Sequence, residues 1–168
     1  NTIDGRGTVR EALLDMSSSI EEGKADVLGL YMIIELHKAG ELGGVNLRDY
    51  YVTFMASVFH SIRFGISSAH GKANILRFNF FQDQGAFVRD AESGRYRIDF
   101  DQMETAIANL SRLLLTLQGN GDYEGAVELV ESHGIIKPQL QDDLDRLAQA
   151  NIPVYIIFQQ GKAELGIE

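Results

Sequence analysis

The chain has no cysteine. That excludes a disulfide scaffold, a thiolate metal site and a thiolate nucleophile, and it leaves the compartment open. Long apolar runs are also missing: the most apolar stretch, Val27 to Leu36, falls far short of the roughly 18 residues needed to span a bilayer. Positive charge is in deficit, with 15 Lys and Arg against 24 Asp and Glu, a net charge of −9 and a pI near 4.9. Such a surface repels phosphate backbones and anionic headgroups, so neither a nucleic acid nor a membrane is an expected partner. There is no low-complexity tract and no repeat at solenoid periods. The opening "NTIDGRGTVRE" carries neither an initiator Met nor a signal-peptide pattern, which leads us to expect a fragment or a processed product.

What is present is enough for one domain: 168 residues, 45% of them hydrophobic. The dominant period is helical. Thr8 and Glu11 have capping-box spacing and predict a helix from about Val9 to Met16. Ser18 and Glu21 repeat the spacing ahead of a long helix over about 19–38, ended by Gly40. After the loop "GELGGVN", Asn46 caps a helix over about 47–64 stopped by Gly65, and another fits about 68–84, stopped by Gly85. The period then changes: Phe87, Val88, Tyr96 and Ile98 flank the polar turn "AESG", predicting a β-hairpin near 86–99. Helices over about 101–118, 123–133 and 138–149 follow, punctuated by Gly119, Gly134 and Pro138. "VYIIF" at 154–158 is β-branched and aromatic, which suits an extended or packed segment. The expected fold is mainly α, a single helical domain over 1–168 with one small hairpin.

The stretch that demands an explanation is "SSIEEGKADVLGLYMII", where Glu21, Glu22 and Asp26 lead into apolar residues. On a helix, Glu22 and Asp26 lie about 40° apart and Glu21 about 100° away. The Glu22/Asp26 face continues into Leu30 and Ile33, so the spacing predicts that it points inward, where unpaired carboxylates are costly. Lys24 points away from Glu22 and Asp26 and does not neutralise them. Two readings stay open at this level. Acids at a helix start oppose the macrodipole, worth about 0.3–1 kcal/mol, which accounts for Glu21 and Glu22 better than for Asp26. Alternatively, one carboxylate ligates a divalent ion while the others hold the protons of its fellow ligands.

Here a family resemblance enters. "SIEEGKADVLGLYMI" resembles the second zinc motif, E-E-x-x-x-D/E, of the dipeptidyl-peptidase III zinc metallopeptidases, and "EALLDMSSSIEEGKADVLGLYMI" resembles their bacterial branch in particular. "SSAHGKANILRFNFFQDQGAF" is similar to the segment bearing that family's active-site His. The resemblance implies a helical catalytic lobe in which Glu22 is a zinc ligand, Glu21 and Asp26 hydrogen-bond the two zinc-binding imidazoles, and His70 contacts the substrate carbonyl and stabilises charge in the transition state. Two departures accompany it. The family's first motif, H-E-x-x-G-H, which brings two His ligands and the general base, is absent, since His37, His60, His70 and His133 are not paired at that spacing. Four residues after the active-site His, the best-known members carry Arg where this chain has Asn74; Lys72 and Arg77 are nearby without an assigned role.

The remaining candidates have plain structural readings. His37 sits in a last helical turn and reads as a cap, His60 as a core or interface His, and His133 as a helix terminus. "FNFF" at 78–81 reads as core or pocket wall. "GRG" and "GNGD" are too short for phosphate loops, and "DFDQME" reads as a helix cap rather than a calcium loop.

The expected function is therefore the C-terminal portion of a cytoplasmic zinc-dependent peptidase that hydrolyses short peptides, inactive alone for want of the first motif. Its expected partners are a short peptide, the N-terminal part of the same protein and, through exposed apolar surface, other copies of itself. The rival reading is a non-catalytic helical interaction or scaffold domain. A carboxylate site for calcium or magnesium ranks last, because three carboxylates on one helix converge poorly on one ion.

Overall fold

In the computed structural model, which describes residues 1–155 and 158–167, the chain is mainly helical with one antiparallel two-stranded sheet. Helix α1 (Val9–Leu13) starts with the expected capping box, Thr8 and Glu11 each bonding the other's backbone amide. It does not run on to Met16. Leu14 adopts φ 48°, and a 3-10 turn over Leu14–Met16 leads directly into α2 (Ser17–Lys38). The capping box expected at Ser18 and Glu21 does not form: Met16 is the N-cap residue and makes no side-chain cap bond, because the helix grows out of the 3-10 turn and Ser18 lies inside it. Gly40, at φ 77°, ends α2 as expected.

Asn46 caps α3 (Leu47–Ile62), and Ser68 caps α4 (Ala69–Asp83) by accepting from the Gly71 amide at 3.0 Å. Strands β1 (Phe87–Arg89) and β2 (Tyr96–Ile98) pair Phe87 with Ile98 and Arg89 with Tyr96. Asp99 then caps α5 (Phe100–Asn120), which confirms the capping role of "DFDQME". This helix runs through Gly119 and stops at Gly121, whose left-handed φ of 63° supplies the C-cap. Helices α6 (Tyr123–His133) and α7 (Pro138–Gln149) fall where the sequence placed them, and a short α8 (Lys162–Leu165) was not expected. Of the segment expected to be extended at 154–158, Ile156 and Ile157 lie outside the described residues, and Val154, Tyr155 and Phe158 belong to no strand.

Helix α4 is the centre of the molecule. From Ala73 to Phe81 every residue is buried, with α2, α3, α5, α6 and the hairpin packed around it. Phe78 and Phe81 are fully buried and contact Phe87, so "FNFF" is core. A helix buried all round cannot leave polar groups unpaired without cost. Asn79 accordingly donates to the carbonyls of His133 and Ile135 at 2.7 and 2.8 Å, tying α4 to the end of α6. Among the described residues no helix is long and apolar enough to cross a membrane.

Candidate functional site

The three carboxylates of α2 are exposed rather than inward. Their side chains retain 57% (Glu21), 50% (Glu22) and 44% (Asp26) of their accessible surface. The face shared by Glu22 and Asp26 continues into Leu30, which is buried, and Ile33, which is half-buried. Around Asp26 it forms one wall of an open groove of about 510 Å³ between α2, α3 and α4. Thr53, Ser57 and Ser61 of α3 line one side of the groove; His70, Asn74 and Arg77 of α4 line another.

Each carboxylate meets a different partner. Glu21 accepts from Lys24 at 2.8 Å and from Gln118 of α5 at 2.7 Å, and these bonds, led by the Lys24 bond, hold its carboxyl below the usual glutamate range. Glu22 lies 3.2 Å from Nδ1 of His70. Asp26 accepts from the guanidinium of Arg77. Lys24 indeed contacts neither Glu22 nor Asp26 among the described residues.

His70 stands in the first turn of α4 with its side chain 57% exposed, presented by the Ser68 cap. Its neighbour Gly71 packs against the backbone of Gly65, which fixes the start of the helix against the end of α3. The structure thus brings Glu22 to His70, 48 residues apart in sequence, and His70 lines the groove. His37, His60 and His133 lie elsewhere. His37 lies in the last turn of α2, as expected, and its ring reaches the Val45 carbonyl of the following loop at 3.2 Å. His60 meets the Val154 carbonyl at 2.9 Å, and His133 lies beside Ser132 and Asp83.

Arg77 is the residue that sequence reasoning left without a role. Its side chain is 1% exposed; one guanidinium nitrogen donates to Asp26 and another to Asn74 Oδ1, while Asn74 Nδ2 donates to the His70 carbonyl at 2.9 Å. Burial pulls the Arg77 pKa below its ordinary value, and Asp26 pulls it partly back. The signal for it was present: His70, Asn74 and Arg77 occur at i, i+4 and i+7, one face of a helix, with a lone cation inside an apolar run.

A zinc ion in a catalytic centre takes three protein ligands and keeps one open position. Among the described residues no group of three or more His, Asp or Glu side chains is placed to hold a metal ion. Glu22, with one oxygen near His70, offers a single carboxylate. The residues present do not by themselves make a zinc centre.

No family model matches the chain. It is 39% identical over 149 residues to Nudix hydrolase 3 of Arabidopsis thaliana, a match covering 89% of the chain and 19% of that protein. Among solved structures it superimposes on dipeptidyl-peptidase III from Caldithrix abyssi with a TM-score of 0.86 at 36% identity, over 94% of the chain. On dipeptidyl-peptidase III from Corallococcus sp. strain EGB the TM-score is 0.85 at 41% identity, over 98% of the chain. The chain spans 30% of the length of each of those two structures. With fold and sequence in agreement over nearly its whole length, the chain belongs to the dipeptidyl-peptidase III family, as a segment of it.

Proposed function

We propose that this chain is part of the catalytic lobe of a zinc-dependent peptidase acting on short peptides. The observation that carries the reading is the 3.2 Å approach of Glu22 to His70, a residue lining the groove, between helices that no local signal pairs. In this reading Glu22 is one metal ligand, and its companions and the general base come from parts of the longer protein that this sequence does not include. The metal, when bound, supplies Lewis-acid polarisation and an activated water.

The chain's own residues do the rest. His70, exposed at the start of α4, meets the substrate carbonyl and donates a hydrogen bond to the oxygen as charge develops there. Glu21 and Asp26 each engage the chain's own groups through one oxygen among the described residues. Each other oxygen accepts an imidazole N–H and so orients a metal-binding ring. The groove, with hydroxyls from α3 on one side and Leu30 and Val58 in its lining, receives the peptide.

The test is zinc titration calorimetry on the longer protein that contains this chain, beside its Glu22→Ala variant, with peptide hydrolysis measured on both and on the 168-residue chain. Near-equimolar zinc binding that Glu22→Ala abolishes or weakens about 100-fold, together with an inactive 168-residue chain, is the expected result. Zinc binding indifferent to Glu22→Ala, or none at all, leaves Glu21, Glu22 and Asp26 as carboxylates that only pair with Lys24, Gln118, His70 and Arg77, and the chain as a helical scaffold. Helix-start electrostatics does not apply, since none of the three lies in the first turn of α2.

A further inference from the structure

Among the described residues the largest fully buried side chain is an arginine, and the peptidase reading does not say why. Arg77 is 1% exposed and sits in a helix buried on every side. Its Nε is buried with no hydrogen-bond partner among the described residues. A guanidinium buried this deeply loses its hydration, and its partner Asp26 keeps 44% of its side-chain surface, so the ion pair alone gives little reason to keep it here.

Its connections give a better one. Three helices meet on it: Asp26 of α2 accepts one NH group, Asn74 of α4 accepts the other, and the Phe54 ring of α3 lies 5.9 Å from the guanidinium carbon. From Asn74 the path continues to the His70 carbonyl at 2.9 Å, and the His70 ring returns to α2 at Glu22, 3.2 Å away. Glu22 and Asp26 are one helical turn apart, so the path closes into a ring of hydrogen bonds that crosses between α2 and α4 twice. The planar fork of Arg spans two acceptors at fixed geometry, which the point charge of Lys cannot do.

We propose that Arg77 is a positioning residue that fixes the spacing between the acidic face of α2 and His70. It rests on the assignment of Asp26 and His70 to the site in the function proposed above. Arg77 lines the groove with only 1% of its side chain accessible, and its two terminal nitrogens are already taken by Asp26 and Asn74, so it acts through them. The unpartnered Nε fits this role, since the orientation of the fork is set by its two acceptors and not by satisfying every donor.

Two measurements test it. On the 168-residue chain, side-chain nuclear magnetic resonance reads the order of the His70 ring and the solvent protection of the Asn74 amide, with thermal unfolding alongside. Arg77→Met keeps the apolar stem and removes the fork; Arg77→Lys keeps the charge alone. The expected result is a folded Arg77→Met chain that unfolds at a lower temperature than the parent, because buried Asn74 Oδ1 loses its donor, with a more mobile His70 ring and an unprotected Asn74 amide. Arg77→Lys does not restore either signal, and it is read in place of Arg77→Met if that variant does not fold. In the longer peptidase, the same substitutions lower kcat/KM by roughly 10- to 100-fold. Asp26→Asn combined with Arg77→Met is then no worse than the more damaging single change, because the two residues act as one unit.

Variants that leave the His70 ring and the Asn74 amide as in the parent overturn the proposal and leave Arg77 as a packing residue. If the longer protein hydrolyses no peptide, the peptidase reading fails, while the two signals in the 168-residue chain still decide the positioning role.

Discussion

A Cβ added to Gly71 would sit 2.1 Å from the carbonyl oxygen of Gly65 and 3.3 Å from Cα of Ile66. Both are backbone atoms, so no rotamer change relieves the clash. Either the start of α4 or the turn after α3 must move, and His70 is the residue before Gly71. Overpacking of this kind costs about 1–3 kcal/mol. Gly29 is the matched control, since it lies inside α2 with nothing within 4 Å of the added Cβ. A Gly→Ala change there removes backbone entropy from the unfolded chain and stabilises by about 0.5–1 kcal/mol. Urea unfolding therefore separates the two: Gly71→Ala shifts the midpoint down and Gly29→Ala shifts it up. Equal behaviour would show that the approach of α4 to Gly65 does not fix the helix start. At this scale the sequence was informative about chemistry and poor about partners. Glu21, Glu22 and Asp26 stood out by residue type and spacing, and His70 through the family resemblance. Arg77 did not, because its role depends on which helix faces α4, and helical rotation alone does not tell one neighbour from another.

At the scale of elements, the hairpin is held both by the burial of Phe87 and Ile98 in the core and by an ion pair to α7. Arg89 of β1 grips Asp143 of α7 with two bonds, Nε at 2.7 Å and a terminal nitrogen at 2.9 Å, and the Tyr96 hydroxyl of β2 donates to the same carboxylate at 2.7 Å. Arg146 completes the clamp by donating to the Gly94 carbonyl in the hairpin turn at 2.8 Å. Asp143 is 3% exposed, and the Arg89 bond, ahead of the others, holds its pKa below the ordinary 3.8. A carboxyl depressed in the folded state adds stability that is complete above its unfolded pKa and is lost as pH falls through its folded pKa. Asp143→Asn should therefore cost about 3 kcal/mol at neutral pH, the lower end for a broken buried pair, because the Arg89 side chain keeps 19% of its surface. The difference between parent and variant should shrink as pH falls from about 4 towards 2. Urea unfolding across that range measures both, and a pH-independent difference would mean that shape rather than charge docks the hairpin. The hairpin itself was legible, since its polar turn and change of period are local. Its docking site was not, because Arg89 and Asp143 are 54 residues apart and no local pattern pairs them. The boundary at Ser17 was missed for a related reason: a strained Leu14 and a 3-10 turn replace the break that two capping boxes implied.

For the whole molecule, two long-range effects compete. The net charge of −9 makes copies repel one another. Against it stand apolar side chains left on the surface: Phe64 at 49%, Tyr155 at 70% and Phe158 at 72% exposed. Phe64 and Tyr155 form one patch, with rings 5.4 Å apart, because His60 and Arg63 at the end of α3 bind the carbonyls of residues 152–154 and strap that segment down. In the two solved relatives the matched region is 30% of the chain, so we expect such a patch to be covered by the rest of the longer protein. On the 168-residue chain alone it is available to a second copy. Repulsion between surface charges is screened beyond about 10 Å at 0.1 M salt and about 3 Å at 1 M, whereas apolar contact is not weakened by salt. Self-association of the chain should therefore strengthen as salt rises. Sedimentation velocity at low and high salt reads this directly, and Phe64→Ser with Tyr155→Ser should return the high-salt chain to monomer. A chain that stays monomeric at high salt, or a variant that associates as strongly as the parent, would mean that this patch is too small or too well hydrated to drive association.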